Sequence, residues 1–170
     1  MIEKKDLLES LINKQIKYDV YMHKPAFTVN DLGYFKKKIE GAHTKNLFLK
    51  NKKNNFFLIS CEEKELIDLK KFAKSINLGN LSFAREEFLK DLLGIKPGSV
   101  SPFGLLNDIN NKVSFYLDKT LFKSFKINYH PLQNNYTITL ETNKFLEFMI
   151  ENKKKINIYS FKEYKLLETL

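Results

Sequence analysis

The chain is poor in cysteine, glycine and proline and has no tryptophan: one Cys, 6 Gly and 4 Pro stand among 170 residues. A single thiol excludes an intramolecular disulfide and disfavours a cysteine-based metal site. No apolar run approaches the roughly 20 residues that a membrane-spanning helix needs. The first residues, MIEKKD, are charged where a signal peptide would be apolar. We therefore expect a cytosolic protein with no membrane partner and no bound metal.

What is present is typical of a folded globular protein. Hydrophobic residues make up 43% and charged residues 29% of the chain, a balance that disordered chains lack. Aromatics reach 14%, with 15 Phe and 8 Tyr, enough rings for a substantial core. A chain of this length fits one domain, which we take as residues 1–170.

The charge balance favours an anionic partner. The net charge is +9 and the isoelectric point is near 9.4, which favours nucleic acid first and a membrane surface second. All but one of the 29 basic residues are Lys, the exception being Arg85, and Lys suits phosphates better than base edges. Two interpretations stay open, since the Lys clusters at 36–38, 50–53 and 153–155 either bind phosphates or are simply solvated surfaces.

Hydrophobic periodicity predicts a mixture of helices and strands without strict alternation. Thr28 and Thr142 are expected to cap two of the helices, while Gly79 and Gly94 are expected to end two others. The predicted helices cover residues 4–15, 29–38, 63–76, 85–93 and 143–152. The predicted strands cover residues 16–22, 43–50, 56–61, 113–118, 125–129, 135–141 and 156–160. This order predicts an α/β fold with a mixed, barrel-like sheet and flanking helices.

No standard catalytic motif is present, since the sequence has no Gly-x-Ser-x-Gly, P-loop, His-Glu-x-x-His or dinucleotide-binding glycine pattern. Cys61 ends an apolar strand, where a buried small hydrophobe is the ordinary interpretation. Ser99 and Ser101 have no neighbouring base, so they are expected to shape their loop. The three histidines, at positions 23, 43 and 130, lie near strand ends, where packing or surface roles are common. Lys45 stands in the stretch 44–49, whose other residues are uncharged, either as a rim residue reaching water or as a placed cation.

Four ordered segments resemble the motifs of the YbaK/ProX family, whose members are related to the editing domain inserted in bacterial prolyl-tRNA synthetase. The resemblance covers about residues 18–152, and the motifs are specific as a set rather than singly. They are HKPAFTV at 23–29, HTKNLFLK at 43–50, LGIKPGSVSPFG at 93–104 with its Gly-x-x-x-Pro spacing, and HPLQNNYT at 130–137.

The resemblance implies a compact mixed-sheet fold and hydrolysis of mischarged tRNA, in particular alanyl-tRNA(Pro), without a cofactor or metal. It implies that Lys45, Gly98 and His130 act in catalysis and that Asn46, Thr137 and four loop residues bind the substrate, these four being Ser99, Val100, Ser101 and Pro102. The implied partner is the acceptor end of tRNA(Pro), with prolyl-tRNA synthetase as a transient partner. Two alternatives stay open: a deacylase specific for cysteinyl-tRNA(Pro), and a tRNA-binding module that has lost the chemistry.

Overall fold

The structure is a computed structural model that describes residues 1–25 and 37–170. In these residues nine strands form one mixed sheet, in the order β1-β7-β6-β2-β3-β5-β8-β9, with β4 attached to β2. The strands are β1 (Tyr18–Met22), β2 (Ala42–Asn51), β3 (Phe56–Glu62), β4 (Leu81–Phe83), β5 (Val113–Asp118), β6 (Lys126–Tyr129), β7 (Tyr136–Glu141), β8 (Ile156–Ser160) and β9 (Lys165–Thr169). The expectation of an α/β fold with a mixed sheet and flanking helices is confirmed; the sheet is open, with β1 and β9 at its two ends.

Helical segments connect the strands and cover both faces of the sheet. They are α1 (Lys4–Asn13), α2 (Leu69–Ser75), α3 (Glu86–Phe88), α4 (Lys119–Phe122) and α5 (Thr142–Glu151). A π-helical turn, Leu89–Leu93, continues α3, and a 3-10 helix spans Pro102–Asn107. Among the described residues, no helix is long and apolar enough to cross a membrane.

Strand β2 organises the sheet. It pairs antiparallel with β3 from Thr44 opposite Glu62 to Lys50 opposite Phe56. Along its other edge it pairs parallel with β6 at its start and antiparallel with β4 at its end. Beyond β3, the strands β5 and β8 follow in parallel, so the first residues of β3, β5 and β8 meet at one end of the sheet.

Two hydrophobic cores lie on the two faces because side chains alternate along each strand. The larger core takes Phe48, Phe56 and Leu58 from the central hairpin and packs them with α1, the 3-10 helix and α5. The smaller core takes Leu49 and Ile59 from the same hairpin. Its centre is Phe72 of α2, whose ring meets those of three aromatic neighbours, namely Tyr116, Tyr159 and Phe161.

Most predicted elements are confirmed, including the helix at 4–15, the hairpin 43–61 and the strands at 113–118 and 156–160. Gly94 ends the predicted helix at 85–93 in the left-handed conformation, with φ of 66°. The predicted helix at 29–38 and its cap Thr28 lie, apart from its last residues, outside the described residues.

The predicted helix at 63–76 is wrong in its first third. The helix begins only at Leu69, because the Asp68 carboxylate accepts hydrogen bonds from the N–H groups of Lys70 and Lys71 and so caps it there. Leu66, which a helix over 63–76 would place on its apolar face, is 88% exposed. At the other end Asn77, with φ of 54°, takes the left-handed position expected of Gly79.

The predicted cap at Thr142 is also wrong. Glu141 is the N-cap of α5, and Thr142 is already helical, with its buried Oγ1 lacking a hydrogen-bond partner among the described residues. Two strands were not predicted at all. β4 has three residues, and all five side chains of β9 are exposed, so neither shows a two-residue alternation of burial.

Candidate functional site

Lys45 lies on β2 opposite Cys61 of β3. Its side chain is half-buried, and its ammonium group donates a hydrogen bond to the main-chain oxygen of Glu65, just past the end of β3. The ammonium group is therefore neither buried in the core nor fully solvated. It is a cation held at a defined place on the face that carries the smaller core.

Asn46, the next residue, projects to the opposite face. Its Nδ2 donates to the main-chain oxygen of Val100 at 3.0 Å, while its buried Oδ1 has no partner among the described residues. The structure thus separates two residues that are adjacent in the motif. Lys45 faces one side of the sheet, and Asn46 ties the loop 98–104 to the other.

The loop 98–104 is shaped from within. Gly98 has φ of 81°, a conformation that suits glycine. Ser101 is fully buried, and its hydroxyl accepts from the N–H of Phe103 at 3.4 Å, at the start of the 3-10 helix where Pro102 stands. Ser99 is 4% exposed. The expectation that the two serine hydroxyls shape the loop agrees with this burial.

Phe103 anchors the loop in the larger core. Its ring meets three others edge-on, those of Tyr129, Phe145 and Phe148. Of the loop N–H groups, that of Ser99 donates to the Lys96 oxygen and that of Gly104 to the Ser101 oxygen. With Phe103 also committed, the N–H groups of Gly98, Val100 and Ser101 have no partner in the described part of the chain. Ser101 is fully buried, so Gly98 and Val100 are the two of these donors that a ligand can reach.

Two histidine rings and a threonine form a polar cluster beside β7. His130 Nδ1 lies 2.6 Å from the Tyr136 main-chain oxygen, and His23 Nδ1 lies 2.8 Å from that of Lys24. The Nε2 of His23 is 2.9 Å from the Thr137 hydroxyl, and the two ring centroids are 5.9 Å apart. A carbonyl oxygen can only accept, so each Nδ1 carries a proton. In the neutral rings, each Nε2 is then an acceptor.

The strand pairing relates this cluster to Lys45. β2 and β6 pair at Ala42 with Ile127 and at His43 with Asn128. Lys45 and His130 each follow the last of these pairs by two residues, and an interval of two returns a side chain to the same face. We call this the β2–β6 fork: the two strands part here, and Asn46 attaches the loop 98–104 beside it.

His23 and Asn128 are residues whose part in the site the sequence did not reveal. Asn128 is 4% exposed, and it joins three strands at the fork. Its Nδ2 donates to the Glu40 oxygen at 2.9 Å, its own main-chain oxygen accepts from Thr44 Oγ1 at 2.7 Å, and its Oδ1 accepts from Thr139. A polar side chain between the buried Ile127 and Tyr129 was the signal that could have found it.

Cys61 is not equipped to be a nucleophile. Burial raises the pKa of its thiol from about 9.0 to about 12, and the Lys45 ammonium only partly opposes this rise. A thiol in that state stays protonated near neutral pH and is inert. No group of three or more His, Cys, Asp or Glu side chains that could hold a metal occurs within 1–25 and 37–170.

The sequence of this chain is similar to one protein family and to individual relatives. The aminoacyl-tRNA editing domain family matches residues 23–148. The prolyl-tRNA editing protein ProX of Acetoanaerobium sticklandii is 32% identical over 141 residues, which cover 82% of this chain and 86% of that protein. The prolyl-tRNA synthetase associated domain-containing protein 1 of Danio rerio is 30% identical over 160 residues, covering 93% and 87%.

Comparison with solved structures supports the fold. A chain provisionally assigned as a trans-editing enzyme for prolyl-tRNA synthetase superposes with a TM-score of 0.66. The match covers 99% of both chains at 19% sequence identity. At that identity the likeness extends to the arrangement of strands and helices and not to the chemistry of the site.

Proposed function

This chain belongs to the aminoacyl-tRNA editing domain family, and on that premise we propose that it is a trans-editing deacylase that hydrolyses alanyl-tRNA(Pro). The observation that carries the proposal is the β2–β6 fork. There Lys45 and His130 follow the last strand pair at the same level, and the loop 98–104 is tied alongside through Asn46.

The reaction needs a water molecule, an acceptor for its proton and a stabilised oxyanion. Water attacks the ester carbonyl carbon, the carbonyl oxygen gains negative charge, and the ribose oxygen leaves with a proton as the acid is released. Because the described residues offer no suitable nucleophile, we take the rate to come from positioning and from preorganised charge. Lys45 supplies the fixed positive charge, placed on the carbonyl oxygen or on the terminal phosphate.

The loop lies on the opposite face of the sheet from Lys45, so in this proposal its neutral donors bind a different part of the ester substrate. Within the described part of the chain, the N–H groups of Gly98 and Val100 are partly exposed loop donors without a partner. Gly98 also lets a ligand approach the main chain closely because it has no Cβ. His130 faces the fork with Nδ1 committed to the Tyr136 oxygen. In this proposal its role is to orient the ribose or the amino acid, and the substrate's own 2′-hydroxyl orients the attacking water.

Alanine specificity is proposed on steric grounds. A small pocket excludes larger side chains but discriminates weakly against smaller ones, because one methylene is worth only about 1–3 kcal/mol. The loop that would form its wall contains Pro102 and follows Pro97, two of the four prolines in the chain. A wall of fixed shape admits alanine and excludes the ring of proline, so correctly charged tRNA(Pro) survives.

The test is a deacylation panel at equal concentrations of alanyl-, cysteinyl- and prolyl-tRNA(Pro), with alanyl-tRNA(Ala) as control. We expect alanine to leave tRNA(Pro) fastest, with the prolyl ester and the alanyl-tRNA(Ala) control unchanged. Faster release of cysteine would make the protein a cysteinyl-tRNA(Pro) deacylase. If no ester is hydrolysed faster than in buffer, a non-catalytic tRNA-binding module is the better description.

A further inference from the structure

The positive charge of this protein is concentrated in three short segments that consist only of Lys and Asn. They are residues 50–55 (KNKKNN), 110–112 (NNK) and 152–155 (NKKK). These thirteen residues hold seven lysines and no acid, and the other 157 residues hold 22 bases against 20 acids. Seven of the nine net charges therefore belong to less than a tenth of the chain.

The topology brings the three segments together. Each directly precedes one of three neighbouring parallel strands: β3 begins at Phe56, β5 at Val113 and β8 at Ile156. Phe56 is level with Val113, and Phe115 is level with Ile156. Neighbouring strands lie about 4.8 Å apart, so the segments form one row along one end of the sheet, which we call the basic end.

In the basic end, asparagine side chains hold the backbone, whereas most lysine side chains are exposed to solvent. Asn51 Oδ1 accepts from the N–H groups of Lys53 and Asn55, both at 3.0 Å, which fixes the hairpin turn. Five lysines of the basic end are exposed, and none of them forms an ion pair with a described acid. They are Lys52, Lys53, Lys112, Lys153 and Lys155.

Lys154 is the buried lysine of the basic end. It is 9% exposed, and its ammonium group donates to the Asp108 main-chain oxygen at 2.7 Å and to Asn111 Oδ1 at 2.9 Å. It lines a cavity of about 310 Å³ together with Lys153, Lys155, Ser114 and Asn157. Burial lowers the pKa of Lys154, so a neighbouring anion would offset the desolvation of its charge. The Asp108 carboxylate is occupied by the N–H groups of Lys112 and Val113.

We propose that the basic end binds the phosphate backbone of the tRNA acceptor stem while the aminoacyl ester lies at the β2–β6 fork. Lys50 is five residues along β2 from Lys45, about 17 Å at the rise of an antiparallel strand. A nucleic-acid strand advances about 3.4 Å per nucleotide. The basic end therefore meets the backbone about five nucleotides from the esterified ribose, where the paired stem begins. This inference rests on the proposed function, because it takes tRNA as the substrate.

The experiment compares two triple variants that lose the same charge. Lys112→Gln/Lys153→Gln/Lys155→Gln changes the basic end, and Lys70→Gln/Lys71→Gln/Lys74→Gln changes three exposed lysines of α2. An RNA hairpin with the acceptor stem of tRNA(Pro) and no esterified amino acid is the probe, and its affinity is measured across a salt series. Each lost phosphate contact flattens the slope of log K against log salt by about 0.7–0.9. We expect the basic-end triple to lose about 2 to 3 from the slope and the α2 triple to match the unaltered protein.

Kinetics supply a second arm. For the basic-end triple, KM for alanyl-tRNA(Pro) should rise at constant kcat, and hydrolysis of an alanyl ester on a CCA trinucleotide, which is too short to reach the basic end, should be unchanged. Equal losses in the two triples, or an unchanged slope in the basic-end triple, would overturn the inference. If no ester is hydrolysed by the unaltered protein, the proposed function fails, whereas the hairpin measurement still decides the role of the basic end.

Discussion

The Thr137 hydroxyl lies 2.9 Å from Nε2 of His23, and the direction of that hydrogen bond is fixed by a second one. The His23 Nδ1 proton is donated to the Lys24 oxygen at 2.8 Å, so in the neutral ring Nε2 must accept and Thr137 must donate. His130 has the same tautomer through the Tyr136 oxygen. Thr137 is 5% exposed whereas both rings are half-buried. Thr137 therefore fixes the orientation of the His23 ring, and the rings of His23 and His130 lie next to each other.

This arrangement predicts the ¹⁵N spectrum of the histidines. At a pH where the rings are neutral, His23 and His130 should both show a protonated Nδ1 and an unprotonated Nε2. The chain has 3 His, so replacing each in turn by Gln assigns every signal. An Nε2-protonated signal from His23 would contradict a hydrogen bond donated by Thr137.

The same arrangement predicts coupling between His23 and Thr137. His23→Gln and Thr137→Val should each reduce deacylation, and together they should cost less than the sum of the two, with a coupling of about 0.5–3 kcal/mol. Thr139→Val is the matched control, because Thr139 donates to Asn128 and not to His23. Additive effects of His23→Gln and Thr137→Val would show that His23 acts independently of Thr137. An equally large coupling between His23→Gln and Thr139→Val would show the same.

Lys45 should be needed for activity and not for folding. Lys45→Met keeps the apolar stem of the side chain and removes the charge. Deacylation should fall at least about 100-fold, the scale seen when a preorganised oxyanion donor is lost, and the Tm should move by a few degrees at most. Lys64→Met, at an exposed position just past β3, should leave the rate unchanged. A large fall in Tm with activity preserved would make Lys45 a structural residue.

Asn46 and Asn128 should respond differently to the same substitution. Asn46→Ala loses one hydrogen bond, about 0.5–1.5 kcal/mol, but also removes a buried acceptor that has no partner in the described part of the chain. The free energy of unfolding should therefore change by less than about 1 kcal/mol while activity falls, because the loop is released. Asn128→Ala breaks two side-chain hydrogen bonds inside the sheet and should cost about 2 kcal/mol or more. Urea denaturation of the two variants checks the difference, and equal losses would contradict it.

The raised pKa of Cys61 predicts that the protein loses stability at alkaline pH. Its folded-state pKa is about 12 against about 9.0 ordinarily. Above pH 9 the unfolded chain therefore releases a proton that the folded protein keeps. Between about pH 9 and 12, this group should lower the free energy of unfolding by about 1.4 kcal/mol per pH unit. In Cys61→Ala the decline over that range should be shallower by this amount, as measured by denaturation at a series of pH values. Parallel curves for the two proteins would contradict the burial argument.

The sequence by itself determined the local structure and the positions of the site motifs. The helical periodicity of residues 4–15 predicted the helix α1. The apolar run 56–61 and the polar turn 51–55 before it predicted the hairpin 43–61. The predicted bounds of α2 were wrong where a capping residue and the apolar pattern disagreed. The Asp68 carboxylate caps the helix later than its apolar pattern indicated, and Asn77 rather than Gly79 takes the left-handed position after its last turn. The exposed strand β9 had no pattern to detect.

Only the tertiary structure decided which residues meet. Lys45 and Asn46 are neighbours in the sequence, but strand alternation sends them to opposite faces. Lys45 and His130 are far apart in the sequence and become level because β2 pairs with β6. His23 joins His130 through the pairing of β1 with β7. The Lys and Asn segments at 50–55, 110–112 and 152–155 likewise become one surface because three parallel strands begin at the same end of the sheet. Such non-local pairings depend on the packing of the whole sheet, so they cannot be predicted from any short segment of the sequence.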